Sequence, residues 1–493
     1  LLLLPQTFWD RSKFSISFRF KIKVNKHAMW KIGIIDFWGS NYYLLNLKTI
    51  FHKIICTKSQ MFICFVLLMT GNLLGATEVL VFEDQFTFFD MNKWKHETTM
   101  SGGGNWEFQM YGNHRTNSFV ENGKLYIKPS LTRNRFGEKT IRGLHSNWQL
   151  NRVDLWGTCT DNSNWGCERI ANIHEKRILP PVESAKLKTK DNFSFKYGRV
   201  EIKAKLPRGD WLWPAAWMMP QHNTYGEWPK SGEIDIMEAR GNGPSYTRKT
   251  NGEHLGYDTY GSACHWGAHQ DSAYKMTHNT TSFTNTSTLV DDFHIYGLYW
   301  DDKRLYTYLD NPSNIIMEIQ GYGNISFWEK GVNHCLWQSD TSLYQRKNPW
   351  KQGHLNAPFD QEFYLILNLA VGGTAGNGNG YFPDDDKTKP WKNENGNIPA
   401  STSFYDDFDN WFPSWGNQNH EVYDTSSFQI DSVNVWGFPG LSTVNNKRVL
   451  SCALFPNNNV VYFLFYDFAV SSDHTRIKLI FVTKHKKKQI QCQ

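Results

Sequence analysis

The stretch Ser231–Asn242 reads S-G-E-I-D-I-M-E-A-R-G-N and sets three carboxylates, Glu233, Asp235 and Glu238, among apolar side chains. In a strand alternate side chains share a face, so Glu233 and Asp235 point one way and Ile234 and Ile236 the other. Glu238, five positions from Glu233, breaks that parity and would turn toward the core. A β-bulge at Ile236-Met237 absorbs one residue and returns Glu238 to the face of the other two acids. The segment is therefore expected to be a strand with one apolar and one carboxylate-bearing face.

The surrounding chain supports a sheet. K-L-Y-I-K-P at 124–129, Y-G-R-V-E-I-K-A-K-L-P-R-G-D at 197–210 and F-H-I-Y-G-L-Y-W-D-D-K-R-L-Y-T-Y-L-D-N at 293–311 are strand-like runs separated by turn residues. V-E-I-K-A-K-L alternates cleanly, and D-D-K-R at 301–304 sits between two runs as a hairpin turn would. Few stretches carry a helical period. These features predict one large all-β domain, a sandwich or jelly roll. G-G-T-A-G-N-G-N-G-Y-F-P-D at 372–384 reads as a loop and not a phosphate cradle, because no strand-to-helix context follows it.

Of 493 residues, 40% are hydrophobic and 15% aromatic, with 21 tryptophans, enough for a large core. The net charge of +6 is unevenly spread. Residues 1–60 hold ten Lys/Arg against two acids and residues 441–493 hold eight against two, together +14, so residues 61–440 stand at 6 − 14 = −8. No basic stripe is visible in that middle stretch, which argues against a nucleic-acid partner. Residues 1–60 are expected to lie outside the mature protein. Met61 opens M-F-I-C-F-V-L-L-M-T-G-N-L-L-G-A-T-E, which reads as a secretory signal over 61–76, cleaved near Gly75 or Ala76. The run is too short to span a bilayer. The domain is placed at 77–440, and residues 441–493, with K-H-K-K-K at 484–488, are expected to be an extraneous or disordered tail.

Secretion is expected on further grounds. Asn192-Phe-Ser194, Asn279-Thr-Thr281, Asn285-Thr-Ser287 and Asn324-Ile-Ser326 are glycosylation sequons. Of eight cysteines, four fall in the domain. Cys159 and Cys167 flank a short polar loop, a spacing suited to a local disulfide in an oxidising compartment. Cys264 and Cys335 are either a second pair or two buried thiols. No clustered Cys or His set indicates a metal.

The carboxylates carry the chemistry. With the bulge the two glutamates stand effectively four positions apart, ~13 Å along the backbone. Long side chains leaning together would bring their carboxyls to roughly 5 to 5.5 Å, the separation used by retaining glycosidases. Asp235 between them would experience like-charge repulsion that drives the pKa values apart. Two other readings stand beside catalysis on these residues alone: a calcium site or a solvated strand face.

G-E-I-D-I-M-E resembles the active-site motif of glycoside hydrolase family 16, in the laminarinase branch that carries an extra residue before the second glutamate. The resemblance extends over most of residues 80–438. It includes G-G-G-N-W-E-F-Q at 102–109, W-G-T-C-T at 156–160, W-G-C-E-R at 165–169 and G-D-W-L-W-P-A-A-W-M-M-P at 209–220. It continues through Y-G-E-W-P-K-S-G-E-I-D at 225–235, A-P-F-D-Q-E-F-Y-L-I-L-N-L-A-V-G-G at 357–373 and F-Q-I-D-S-V-N-V-W at 428–436. Animal β-1,3-glucanases and β-1,3-glucan-binding proteins are similar. The resemblance implies a concave β-jelly roll with Glu233 as nucleophile, Asp235 as its hydrogen-bonded partner and Glu238 as acid/base. It also implies Trp213, Trp217 and Trp228 along the cleft, where sugar faces stack on rings, although the same aromatics could be core. His265 and Asn368 match positions that hydrogen-bond hydroxyls, and Arg115 is a weaker candidate of that kind. Ala263-Cys264 before His265 departs from the pattern. The function so implied is a secreted, monomeric endo-β-1,3-glucanase acting on β-1,3-glucan without a cofactor, a structural calcium being left open. The alternative is a secreted pattern-recognition protein of innate immunity that binds the glucan without cleaving it. Both glutamates are intact, which favours the enzyme.

Overall fold

The computed structural model describes residues 78–446 except 269–272, 283–288, 335–347, 375–379, 385–387 and 396, together with the strands Ser15–Lys21, Ile32–Trp38, Leu450–Leu454, Val461–Val470 and Thr475–Thr483. The signal-like run at 61–76, the basic cluster at 484–488, the sequon at Asn285 and Cys335 lie outside the described residues. Two compact units are present. One is Leu80–Trp436, and the other combines Leu1–Val79 with Gly437–Gln493.

Within Leu80–Trp436 the strands that matter to the site are, in chain order, β1 (Ser118–Glu121), β2 (Lys124–Ile127), β3 (Lys186–Lys188), β4 (Gly198–Lys205), β5 (Leu212–Pro220), β6 (Glu233–Ala239) and β7 (Thr259–His265). They continue with β8 (His278–Ser282), β9 (His294–Trp300), β10 (Leu305–Leu309), β11 (Ile315–Glu318), β12 (Phe363–Val371) and β13 (Phe428–Gly437). One sheet runs β8-β7-β6-β5-β12, with β3 on the far side of β12, and the other runs β11-β10-β9-β4-β13-β2-β1. The pairings joining these strands are antiparallel. This is the all-β jelly-roll sandwich expected from the alternating sequence.

The alternation of β4 shows why the sheets stack. Val200, Ile202 and Ala204 are fully buried while Glu201, Lys203 and Lys205 between them are partly exposed. Trp300 of β9 is fully buried and meets Phe363 of β12 edge to face at 5.5 Å, and Tyr260 of β7 meets Tyr296 of β9 likewise at 5.1 Å. Aromatic rings therefore close the core between the two layers. D-D-K-R forms the predicted hairpin: Trp300 pairs with Leu305, and the Asp301 carboxylate accepts from the Lys303 and Arg304 amides at 2.7 and 2.6 Å.

A disulfide joins Cys159 and Cys167. Among the described residues Cys264 is a buried free thiol. Closing the short 159–167 loop contributes about 2.5 kcal/mol on chain-entropy grounds. Replacing both cysteines by serine is therefore expected to lower the unfolding free energy by about that much in denaturant titration, and a loss above ~5 kcal/mol would mean that the loop is a core element.

Ser15–Lys21 pairs antiparallel with Ile32–Trp38, and Val461–Val470 pairs antiparallel with both Leu450–Leu454 and Thr475–Thr483. The tail expected from composition to be extraneous or disordered thus includes paired strands. Among the described residues no helix is long and apolar enough to cross a membrane.

Candidate active site

The parity of β6 is restored by a register shift between Asp235 and Glu238. On the β7 side Asp235 pairs with Ala263 and Glu238 with Gly261, so Ile236 and Met237 together oppose Ser262. On the β5 side Trp217 pairs with Asp235 and Ala216 with Met237. The Ser262 hydroxyl donates to the Ile236 carbonyl at 2.7 Å, satisfying the backbone group the bulge takes out of the ladder. Ile234, Ile236 and Met237 are buried, while Glu233 and Glu238 keep partial exposure.

Continuing across the sheet, the register places Glu238, Ala215, Asn368 and Lys186 in one row and Asp235, Trp217, Ile366 and Lys188 in the next but one. Each glutamate has an indole donor. Trp213 Nε1 donates to Glu238 Oε1 at 3.0 Å, and Trp228 Nε1 donates to Glu233 Oε2 at 2.6 Å. Trp228 is 47% exposed, whereas Trp213 is buried. His265 lies opposite Glu233 in the ladder and its Nε2 stands 3.0 Å from Asp235 Oδ2. Ala263, directly opposite Asp235, leaves room for that diagonal approach. His265 also stacks on Tyr274 at 5.2 Å. Glu233, Asp235 and His265 bring one ligand atom each within 4.8 Å of one another, and among the described residues these are the side chains grouped so that they could hold a metal ion.

Burial and the neighbouring Glu233 and Glu238 carboxylates hold Asp235 well above the ordinary aspartate range, against the opposing pull of His265. Burial also raises Glu238, and Glu233 adds to it, while His265, the Trp213 donor and Arg240 pull it down. A raised Glu238 carries its proton toward neutral pH, as a general acid must.

Trp217 Nε1 donates to Asn368 Oδ1 at 2.6 Å, and Asn368 Nδ2 donates to the Tyr111 hydroxyl at 3.1 Å. Each end of the amide thus makes one bond, and the bond to Trp217 orients that ring. Arg115 is not brought to the carboxylate strand. It is exposed, with its guanidinium 4.4 Å from the Phe89 ring centroid and 3.3 Å from the Ser118 carbonyl.

Several contributors escaped the sequence reading. Tyr381, in the 372–384 loop, stacks face to face on Trp213 at 3.9 Å, and Arg240 lies 3.7 Å from the Tyr381 ring centroid while donating to its carbonyl at 2.6 Å. Arg240 follows Glu238 by two, so strand parity alone could have found it. Lys186 stands 3.1 Å from Glu97 and 5.0 Å from the Trp217 ring centroid. Burial lowers its pKa, but Glu97, Glu107 and Glu233 outweigh that and raise it. Glu107 accepts from Gln109 at 2.7 Å and from the Tyr111 hydroxyl at 3.4 Å. Gly103 makes the tuck of Glu107 feasible, since a Cβ there would lie 2.3 Å from Glu107 Oε1.

Burial pushes Glu97 up, but Lys186 and Lys188 outweigh it and hold the carboxyl at about 2, against an ordinary 4.5. A depressed acid contributes stability that is present above the unfolded value and lost as pH falls. Melting temperature should therefore drop between about pH 4.5 and 2, and Glu97→Gln should flatten that part of the curve.

With this geometry in hand the comparisons are informative. The family model described as glycosyl hydrolases family 16 matches residues 162–320. A "Beta-1,3-glucan-binding protein" of Penaeus monodon is 41% identical over 365 residues, covering 72% of this chain and 90% of the shrimp protein. The chain belongs to glycosyl hydrolases family 16. Another relative, "Glucan endo-1,3-beta-glucosidase A1" of Niallia circulans, is 32% identical over 304 residues, covering 60% of this chain and 34% of the bacterial protein. Among solved structures, the laminarinase catalytic domain from Thermotoga maritima MSB8 aligns at 21% identity and a TM-score of 0.43, covering 73% of this chain and 99% of that one. The bulged carboxylate strand of this family 16 chain lies inside the matched segment.

Proposed function

We propose that the protein is a secreted endo-β-1,3-glucanase with a retaining two-carboxylate mechanism. One observation carries the reading: Glu233 and Glu238 sit on one face of a bulged strand, each held by an indole donor, with the buried Asp235 between them. Glu233 attacks the anomeric carbon while Glu238 protonates the departing glycosidic oxygen. Glu238 then takes a proton from water, which hydrolyses the glycosyl ester on Glu233. Asp235 and His265 hold the geometry and damp the charge on Glu233. The scheme uses no cofactor. Trp213 with Tyr381, Trp217 and Trp228 supply rings for sugar faces. Secretion accords with the disulfide and with Asn324, a sequon residue that is exposed.

The second reading, glucan binding without cleavage, is favoured by the printed name of the 41% identical shrimp relative. Laminarin incubated with the secreted chain decides between them. New reducing ends are expected, and bound but unshortened polymer would transfer the assignment to recognition.

Trp213→Phe keeps the ring and removes the donor to Glu238. The indole bond favours the ionised carboxylate, so its loss raises the acid's pKa further. The alkaline limb of the kcat/KM profile is expected to move to higher pH, and a shift to lower pH would mean that Glu238 is not the group titrating there.

A further inference from the structure

Trp165 is 76% exposed, the most open of the exposed large hydrophobic residues described, and Trp156 is 56% exposed. Trp165 lies within the loop closed by the Cys159–Cys167 disulfide and Trp156 three residues before it, and neither belongs to the site above. An indole ring left in water forgoes a large burial gain, and here the backbone is built to leave it there. Asn164 and Trp165 both take left-handed conformations, φ 52° and 60°, which non-glycine residues adopt at a cost. Met100 N donates to the Gly166 carbonyl at 2.7 Å, Asn164 Nδ2 to the Ser101 carbonyl at 3.2 Å, and the Thr99 hydroxyl to the Asp161 carbonyl at 2.6 Å. Gly166 is packed so closely that a Cβ would fall 2.3 Å from Thr99 Oγ1. The ring is thus presented on a rigid loop, which reduces the ordering cost of a ligand that stacks on it.

The same contacts connect the loop to the site. It docks on Thr98–Ser101, the segment that runs directly into the turn holding Glu107. Glu107 accepts from Tyr111, Tyr111 from Asn368, and Asn368 from Trp217. The path leaves the carboxylates on the β12 and β3 side of the sheet and ends at Trp165. Polar groups accompany the rings: Trp156 Nε1 donates to Glu168 at 3.1 Å, and Arg152 pairs with both Glu168 and Asp154 at 2.7 Å. Rings bordered by both charge signs suit a neutral polyhydroxylated chain better than a lipid surface or an apolar protein face.

We propose that Trp165, on the same disulfide-closed loop region as Trp156, forms a distal sugar-stacking site that engages the same β-1,3-glucan beyond the reach of a short oligosaccharide. The inference rests on the glucan reading of the site. It is tested in the full chain carrying Glu233→Gln, so that ligand survives, by titrating laminarin and laminaritetraose calorimetrically. Trp165→Ala is expected to weaken laminarin binding about tenfold more than tetraose binding, ~1.4 kcal/mol, and Trp165→Phe to restore most of the difference because a ring remains. Equal losses on both ligands, or a phenylalanine variant as weak as the alanine one, would overturn the distal site while leaving the glucan reading in place. A parent chain that binds neither ligand would overturn both.

Discussion

Glu233→Gln and Glu238→Gln are each expected to lower laminarin hydrolysis by at least ~10²- to 10⁴-fold, the range associated with a positioned proton donor, with the larger loss at the nucleophile. Glutamine keeps the shape and can still accept the indole bonds from Trp228 and Trp213, so the cleft should stay assembled and glucan affinity should persist. Stability should not fall. Asp235 and Glu238 have folded pKa values raised above their ordinary ones, so the folded state binds more protons than the unfolded chain in that window. Stability attached to these groups is fully present below their ordinary carboxylate values and is lost as pH rises from there through the raised ones. Removing one charge from the cluster relieves that loss, and both variants should melt at or above the parent temperature at pH 7. Asp235→Asn should be less damaging to rate, since it removes no bond-making group. Turnover within tenfold of the parent in both glutamine variants would remove the assignment of these residues.

The parts of this molecule legible in the sequence are those encoded locally. Val200, Ile202 and Ala204 face the core because period two is the geometry of a strand, and the hairpin at Asp301–Arg304 is written in four consecutive residues. The bulge was legible for the same reason, through a parity violation at Glu238. The Cys159–Cys167 pair needed only a short loop. What stayed hidden is set by distant segments meeting. Trp213 and Tyr381 stack across more than 150 residues of chain, and Lys186 finds Glu97 only because strands bring them together. A glycine-rich stretch such as 372–384 announces a loop but not what its tyrosine will touch. Asn368 is bonded by Trp217 and Tyr111, contacts set by distant segments that its own position in the sequence does not foretell.

The second large effect concerns parity itself. Deleting Met237 leaves E-I-D-I-E, in which Ile236 alone opposes Ser262 and all three acids alternate onto one face with no bulge. The fully buried methionine side chain is lost, costing ~2–5 kcal/mol if the space does not collapse, but Glu238 still meets Gly261 and some laminarinase activity should survive. Inserting an alanine after Met237 sets three residues against Ser262. The Ser262 hydroxyl can satisfy the Ile236 carbonyl as it does now, but not a second displaced backbone group. Either the bulge persists and Glu238 turns into the core, where an unpaired carboxylate is costly, or the ladder runs unbulged and Glu238 returns to the carboxylate face opposite Thr259, two positions beyond Gly261 and out of reach of Glu233. Activity should fall below detection, with a drop in melting temperature larger than that of the deletion. Ser262→Ala separates the bulge from its register: it leaves the residue count intact, strands the Ile236 carbonyl at a cost of ~1–3 kcal/mol, and should reduce rate only modestly. A folded, active insertion variant beside a folded, inactive deletion variant would show that strand parity does not place Glu238.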